Sequence, residues 1–304
     1  MQLSHWTALL ALATNAVLSA SLPIRIITFN IRYAATSLET NEKPWWTLFC
    51  FIWDDQCRQP HVIDLLSETA ANAPTGAATI IAMQEVLDNQ LSDIKSGLGS
   101  SWAHIGVARD DGEDSGEYSP ILYRTDVLKL LYSETKWLSP TPDTVSYGWG
   151  AGSRRIVTIG VFEHIATGKR FIHANTHLDN VSSEARSEGI KVVVARIQAV
   201  QSSWGPLGVT LTGDFNSDPN GDAYSTLTGL AYVEDLWNIA THVGANQLTY
   251  TGFTATGISR IDFIWLGPKG SNLYSTQQVE ILNNNVDEMF ISDHRPVVGD
   301  ITLL

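Results

Sequence analysis

The stretch Val209-Thr-Leu-Thr-Gly-Asp-Phe-Asn216 constrains the fold more than any other. Val209 to Thr212 is short, apolar and β-branched, and it reads as a buried strand. Gly213 frees the backbone. Asp214 and Asn216 follow at a spacing of two, which along a strand puts both side chains on one face. A carboxylate and a carboxamide therefore leave a buried strand side by side. The carboxylate can bind a metal or orient a water, and the amide can donate to a developing anion. An Asx-type turn would use the same residues, and Pro219-Asn-Gly221 turns the chain directly afterwards. Repetition favours chemistry, because other apolar runs in the chain end the same way.

Ile24-Arg-Ile-Ile-Thr-Phe-Asn30 reads as a strand whose tip carries Asn30. Thr79-Ile-Ile-Ala-Met-Gln-Glu85 reads as another. Leu87, Leu91, Ile94 and Leu98 then recur at helical spacing, which puts Glu85 at a strand-to-helix junction. A glutamate there can favour the helix N-terminus or bind a hard cation such as Mg²⁺. Arg170 to Asp179 is a strand tipped by His177. Ile190, Val193, Val194, Ile197 and Val200 mark an amphipathic helix leading into the Asp214 strand, and this strand–helix–strand order is an α/β signature. Arg260-Ile-Asp262-Phe-Ile-Trp265 puts a carboxylate in an apolar strand, which is costly unless that carboxylate is paired. Ser292-Asp293-His294 offers a partner, since an Asp262–His294 pair would fix the imidazole tautomer.

Loops supply the remaining candidates. Residues 31–59 hold Trp45, Trp46 and Trp53 without a clear period and read as a long functional loop, with Cys50 and Cys57 able to close part of it in an oxidising compartment. Arg109 to Tyr118 is a polar, acidic loop with Tyr118 at its end, placed to line a site. Arg154 or Arg155, where the chain re-enters a sheet, can offer a guanidinium fork to a phosphate oxygen. Asn180-Val-Ser182 is a glycosylation sequon.

A 44% hydrophobic, 17% charged chain of this length suits one well-cored domain. A net charge of −13 gives no overall field toward nucleic acid or anionic lipid. Trp6 to Leu18 is a short apolar run with small residues after it, so residues 1–20 read as an export signal followed by a domain over 21–304. The run is too short to span a membrane. Extracellular localisation is the expectation. No Gly-x-Ser-x-Gly elbow, cysteine nucleophile context or zinc-type His/Cys cluster is present.

Taken in order, Thr28-Phe-Asn30, Met83-Gln-Glu85, Asn175-Thr-His177-Leu-Asp179, Gly213-Asp-Phe-Asn216, Arg260-Ile-Asp262-Phe-Ile and Ser292-Asp-His294-Arg-Pro296 resemble the signature of the endonuclease/exonuclease/phosphatase superfamily. The resemblance implies an α/β four-layer sandwich: two mixed β-sheets face to face, with helices outside and the site at one end. It implies Mg²⁺ or Mn²⁺ bound by Glu85 with Asp293 and Asn30 in support. Asp214 would orient or deprotonate water, and Asn216 would hold a phosphate oxygen. His294, braced by Asp262, would contact the scissile phosphate, and His177 would assist as acid or by charge stabilisation. Arg155 and Tyr118 are the further substrate-binding candidates.

Three functions follow as expectations. The first is a secreted phosphodiesterase, most simply a nuclease acting on nucleic acid. The second is a phosphatase or phospholipase-C/sphingomyelinase-like hydrolase of a small phosphoester or lipid headgroup. The third is a binding protein on an inactive scaffold, which the filled catalytic positions argue against. No stable protein partner is implied, and a monomer is expected.

Overall fold

Burial runs unbroken along several strands, and it dictates a layered architecture. The computed structural model describes residues 21–53, 56–286 and 288–304; the expected export signal lies outside them. In chain order the elements begin with β1 (Leu22–Asn30), α1 (Arg58–Ala71), β2 (Ala78–Gln84), α2 (Asp88–Leu98), β3 (Trp102–Ile105) and β4 (Ile121–Arg124). Next come β5 (Leu128–Trp137), β6 (Ile156–His164), β7 (Arg170–His177), α3 (Ser183–Trp204), β8 (Gly208–Asp214) and α4 (Asp222–Gly229). The chain closes with β9 (Glu234–Asp235), β10 (Thr241–Val243), β11 (Asp262–Gly267), β12 (Tyr274–Ile281), β13 (Asn285–Val286), β14 (Met289–Phe290) and β15 (Val297–Leu303). Every residue of β2 and β8 is buried, so both faces of each strand must be covered.

One sheet runs β10-β12-β15-β1-β2-β4-β3 and the other β5-β6-β7-β8-β11-β9. Both are mixed: β1 and β2 are parallel, as are β7 and β8, while β1 with β15 and β8 with β11 are antiparallel. The period of two assigns the layers. Ile24, Ile26 and Ile80 point into the core between the sheets with Phe171, Ile264 and Leu266. Ile27, Phe29, Ile81 and Met83 point outward against Val62 and Leu66 of α1 and Leu91 and Ile94 of α2. On the far side Ile172, Ala174, Leu211, Phe263 and Trp265 meet Ile190, Val193 and Ile197 of α3. The order is therefore helices, sheet, sheet, helices, the four-layer α/β sandwich expected from the resemblance.

The inter-sheet face changes character along its length. Reading toward one end, β1 gives Ile24, Ile26, Thr28, Asn30; β2 gives Ile80, Ala82, Gln84; β7 gives Phe171, His173, Asn175, His177; and β11, in reverse, gives Leu266, Ile264, Asp262. Apolar side chains hold the sheets together at one end, and buried polar ones replace them at the other. Those polar groups bond across the gap. Gln84 Nε2 donates to Asn175 Oδ1 at 2.7 Å, and Asn175 Nδ2 donates to Met83 O at 2.7 Å. A buried polar layer is costly unless its groups find partners; these bonds supply most of them, while Gln84 Oε1 is left without one.

The loop from 31 to 57 is tied down unevenly. Trp45 is buried and donates from Nε1 to Asp93, while Trp46, Leu48, Phe49, Ile52 and Trp53 stand exposed. Cys50 and Cys57 are disulfide-bonded, with Cα atoms 5.6 Å apart. Among the described residues no helix is long and apolar enough to cross a membrane.

Candidate active site

Three neighbouring strands deliver the centre of the site. His177 closes β7, Asp214 closes β8 and Asp262 opens β11, and the ladders pair His177 with Asp214 and Asp214 with Asp262. The strand containing Asp262 begins at that residue, so the carboxylate sits at a strand mouth. β8 reaches this register because Gly213 lies against β7; a Cβ there would run into the carbonyl oxygen of Thr176. The other sheet contributes Asn30 and, just past β2, Glu85. Asp293 and His294 arrive on the loop before β15, where the Ser292 hydroxyl donates to Asn30 O at 2.7 Å and accepts from His294 N at 3.1 Å.

Asn30 is a brace between the sheets. Its Nδ2 donates to Glu85 Oε1 at 3.1 Å and to Asp214 Oδ2 at 2.9 Å, while its Oδ1 accepts from the Arg32 amide at 3.0 Å. Its carboxamide oxygen thus faces the backbone, and its contact with the acidic side of the site runs through Glu85. Asp214 Oδ1 accepts from the Asn216 amide at 2.8 Å, while the Asn216 side chain donates to Leu178 O at 3.0 Å. Glu85, Asn216 and Arg32 have φ of +59°, +47° and +59°. Left-handed conformations in such residues cost on the order of 1–3 kcal/mol each and gather at functional sites.

The two histidines have opposite surroundings. His294 Nδ1 donates to Asp262 Oδ2 at 2.8 Å, and its Nε2 lies 3.7 Å from Asp214 Oδ2. Burial pulls its pKa down, but Asp262 and Asp214 lift it well above the usual histidine value, which favours the charged ring. His177 Nδ1 instead accepts from Arg155 Nη1 at 2.9 Å. Burial, then Arg155, pushes its pKa down to about 3, so this ring is neutral. Burial, then Asp262, raises the Asp214 carboxyl above the ordinary range, which makes it a better proton acceptor when ionised.

Glu85, His177, Asp214, Asn216, Asp293 and His294 line a cavity of about 430 Å³ that also includes Arg32, Arg109, Glu117 and Tyr250, while Asn30 and Asp262 stand behind its wall. A larger crevice of about 560 Å³ beside α1 and α2 is lined mainly by alanine, glycine and short polar residues and holds no catalytic group. One expectation is corrected and one is narrowed. Tyr118 is buried in the core, with its hydroxyl donating to Asp88 and to Glu113 O, and it does not line the cavity. Arg155 lines the cavity, but its fork is turned to His177 and, at 3.1 Å, Asn180 Oδ1. Arg154 reaches Asp110 and stacks on Tyr147.

Sequence reading passed over Arg32, Arg109, Glu117 and Arg58. The first had a signal, since it follows Asn30 by two. Arg58 is fully buried and donates to the carbonyls of Ile31, Arg32, Tyr33, Lys43 and Ile291, so it clamps the Asn30 loop to the Asp293 loop. Nothing in its local pattern announces that.

A divalent cation fits the acidic side of the cavity. Glu85 and Asp293 offer oxygen ligands only, the set preferred by Mg²⁺ or Mn²⁺. Burial, and Glu85 nearby, raise the Asp293 carboxyl to about 6, a repulsion that a bound cation relieves. Asp214, Asp262 and His294 also place one ligand atom each within 4.8 Å of one another, a grouping compatible with a metal, although Asp262 and His294 already bond to each other.

The family model of the endonuclease/exonuclease/phosphatase family matches residues 27–294. An endonuclease/exonuclease/phosphatase protein from Bacteroides vulgatus is 33% identical, with a TM-score of 0.77 over 93% of this chain and 99% of that one. A mannosyl-6-phosphatase from Bacteroides thetaiotaomicron is 28% identical, with a TM-score of 0.79 over 91% and 99%. D. rerio TDP2 complexed with a single-stranded DNA product shares the fold at 18% identity, with a TM-score of 0.64 over 92% and 98%. No curated protein sequence matches the chain.

Proposed function

Because the chain belongs to the endonuclease/exonuclease/phosphatase family, we propose that it is a divalent-metal-dependent hydrolase of small, hydrophilic phosphoesters of the sugar-phosphate kind. The observation that carries the reading is the cavity itself. It is of small-molecule size, lined mostly by charged and hydrogen-bonding side chains, and has Arg32 and Arg109 among the carboxylates. The sequence also shows no basic, aromatic-interleaved stretch of the sort that follows a nucleic-acid backbone. The relative named as a sugar phosphatase supports the same direction.

The chemistry is attack of water on phosphorus, with the ester P–O bond breaking and the alcohol leaving after it takes up the proton that water gives up. A cation held by Glu85 and Asp293 would polarise the phosphoryl group and acidify water. Asp214, fixed by Asn30 and by the Asn216 amide, accepts the proton of the attacking water. The His294 imidazolium, anchored on Asp262, stabilises charge gathering on the phosphoryl oxygens. His177 donates from the opposite side of Asp214. Export belongs to the same proposal; the apolar run before residue 20 and the Cys50–Cys57 bond support it, since disulfides persist in oxidising compartments.

The test is parallel hydrolysis of mannose 6-phosphate, p-nitrophenyl phosphate, bis-p-nitrophenyl phosphate and plasmid DNA, with Mg²⁺ or EDTA. EDTA-sensitive release of phosphate from the monoesters, exceeding diester turnover at least tenfold, is expected. Plasmid nicking without monoester turnover would replace this reading with the nuclease one.

A further inference from the structure

His177 meets a different neighbour at each ring nitrogen, and a neutral imidazole can carry its proton on only one of them. At Nδ1 stands Arg155 Nη1, 2.9 Å away. A guanidinium has donors and no acceptor, so Nδ1 must present its lone pair. At Nε2 stand Asp214 Oδ2 at 3.5 Å and Asn216 Nδ2 at 3.1 Å. The first can only accept from the ring. The second is an amide with two N–H groups: one donates to Leu178 O at 3.0 Å and the other is free to point at Nε2, but a neutral amide is a weaker donor than the guanidinium that competes with it for the ring's single lone pair.

We propose that Arg155 is a positioning residue: by donating to Nδ1 it holds His177 in the Nε2–H tautomer, so that this imidazole faces the phosphoryl group as a hydrogen-bond donor and not as a base. Arg155 is built for the task. It is buried, and its second terminal nitrogen is anchored on Asn180. The arrangement inverts the one at His294, where a carboxylate stands behind the ring and faces Nδ1 as an acceptor. A carboxylate is also near His177: Glu117 Oε2 lies 3.7 Å from Nδ1 but is engaged by Arg109 at 2.7 Å. Arg155 therefore decides between two possible partners for Nδ1. Without it, Glu117 is the group placed to accept an Nδ1 proton, and the donor aimed at the substrate is lost or the ring becomes charged.

The role at the phosphoryl group rests on the hydrolase reading above, but the tautomer is observable without substrate. Long-range proton–nitrogen correlation spectra of protein labelled with ¹⁵N-histidine resolve both ring nitrogens of the eight histidines; His177 is identified by the signals missing in His177→Gln. At pH 7.5 the wild type is expected to show a protonated Nε2 and a bare Nδ1. Arg155→Lys, which keeps a donor, should retain that pattern. Arg155→Met should move the proton to Nδ1 or protonate both nitrogens, and lower kcat about 10- to 100-fold with KM changed less than about threefold. A wild-type ring protonated at Nδ1, or an unchanged pattern in Arg155→Met, overturns the assignment. If Arg155→Met does not fold, the wild-type and Arg155→Lys spectra decide alone. Absence of phosphoester turnover with the expected spectra would sink the hydrolase reading and leave the Arg155 assignment standing.

Discussion

A carboxylate behind one histidine and a guanidinium behind the other put the two imidazoles of the site in opposite electrostatic surroundings. Asp262 is the simpler to test. Asp262→Asn keeps the shape but removes the charge that holds His294 as an imidazolium. The expected result is a kcat about 100- to 10,000-fold lower, with the thermal midpoint within a few degrees of wild type; a loss under tenfold would remove Asp262 from the mechanism. How much of this was legible follows from chemistry. Asp214, His177 and Asp262 could be read because each is a polar residue at the end of an apolar strand, and His294 because a buried Asp262 calls for a partner such as an imidazole. Arg155 could be found but not understood, since a sequence shows that an arginine is present and not which way its fork turns. Tyr118 was misread because the end of an acidic loop gives no sign that the ring folds back into the core.

At the scale of elements, the site depends on how closely β8 can approach β7. Only glycine at 213 leaves room for the Thr176 carbonyl, and Asp214 is the next residue. Gly213→Ala must therefore spread the two strands. A destabilisation of about 1–3 kcal/mol is expected, together with a larger loss of activity than of stability, read from urea unfolding and monoester turnover on one preparation. Unchanged turnover would show that the strand mouth tolerates displacement. The buried strands β1, β2, β7 and β8 were visible from their apolar runs, and α3 from its period. β12, whose burial is patchy, and the short α4 were not, because partial burial leaves no run or period to detect.

At the scale of the molecule, buried neutral histidines make stability depend on pH. His173 sits fully buried between the sheets against Thr210 and Thr212, and burial pushes its pKa to about 3 from 6.5. A depressed histidine pKa means that the unfolded chain binds the proton first. His173 therefore costs nothing above pH 6.5 and destabilises by about 1.4 kcal/mol per pH unit on the way down toward 3. His173→Gln should lose to wild type at pH 7.5, and the gap should shrink by about 2 kcal/mol at pH 5.0 in urea titrations. A gap that stays constant would mean that His173 takes up a proton in the fold. The same seam has a mechanical side. Asn30 and Gln84 belong to one sheet, and Asp214 and Asn175, which they grip, belong to the other. The catalytic centre is thus a weld line between two halves of the molecule, and it fails by shear. Any slip of one sheet on the other would misalign the centre while each half kept its own hydrogen bonds. Turnover is therefore a finer gauge of sheet alignment than any spectrum that counts strands.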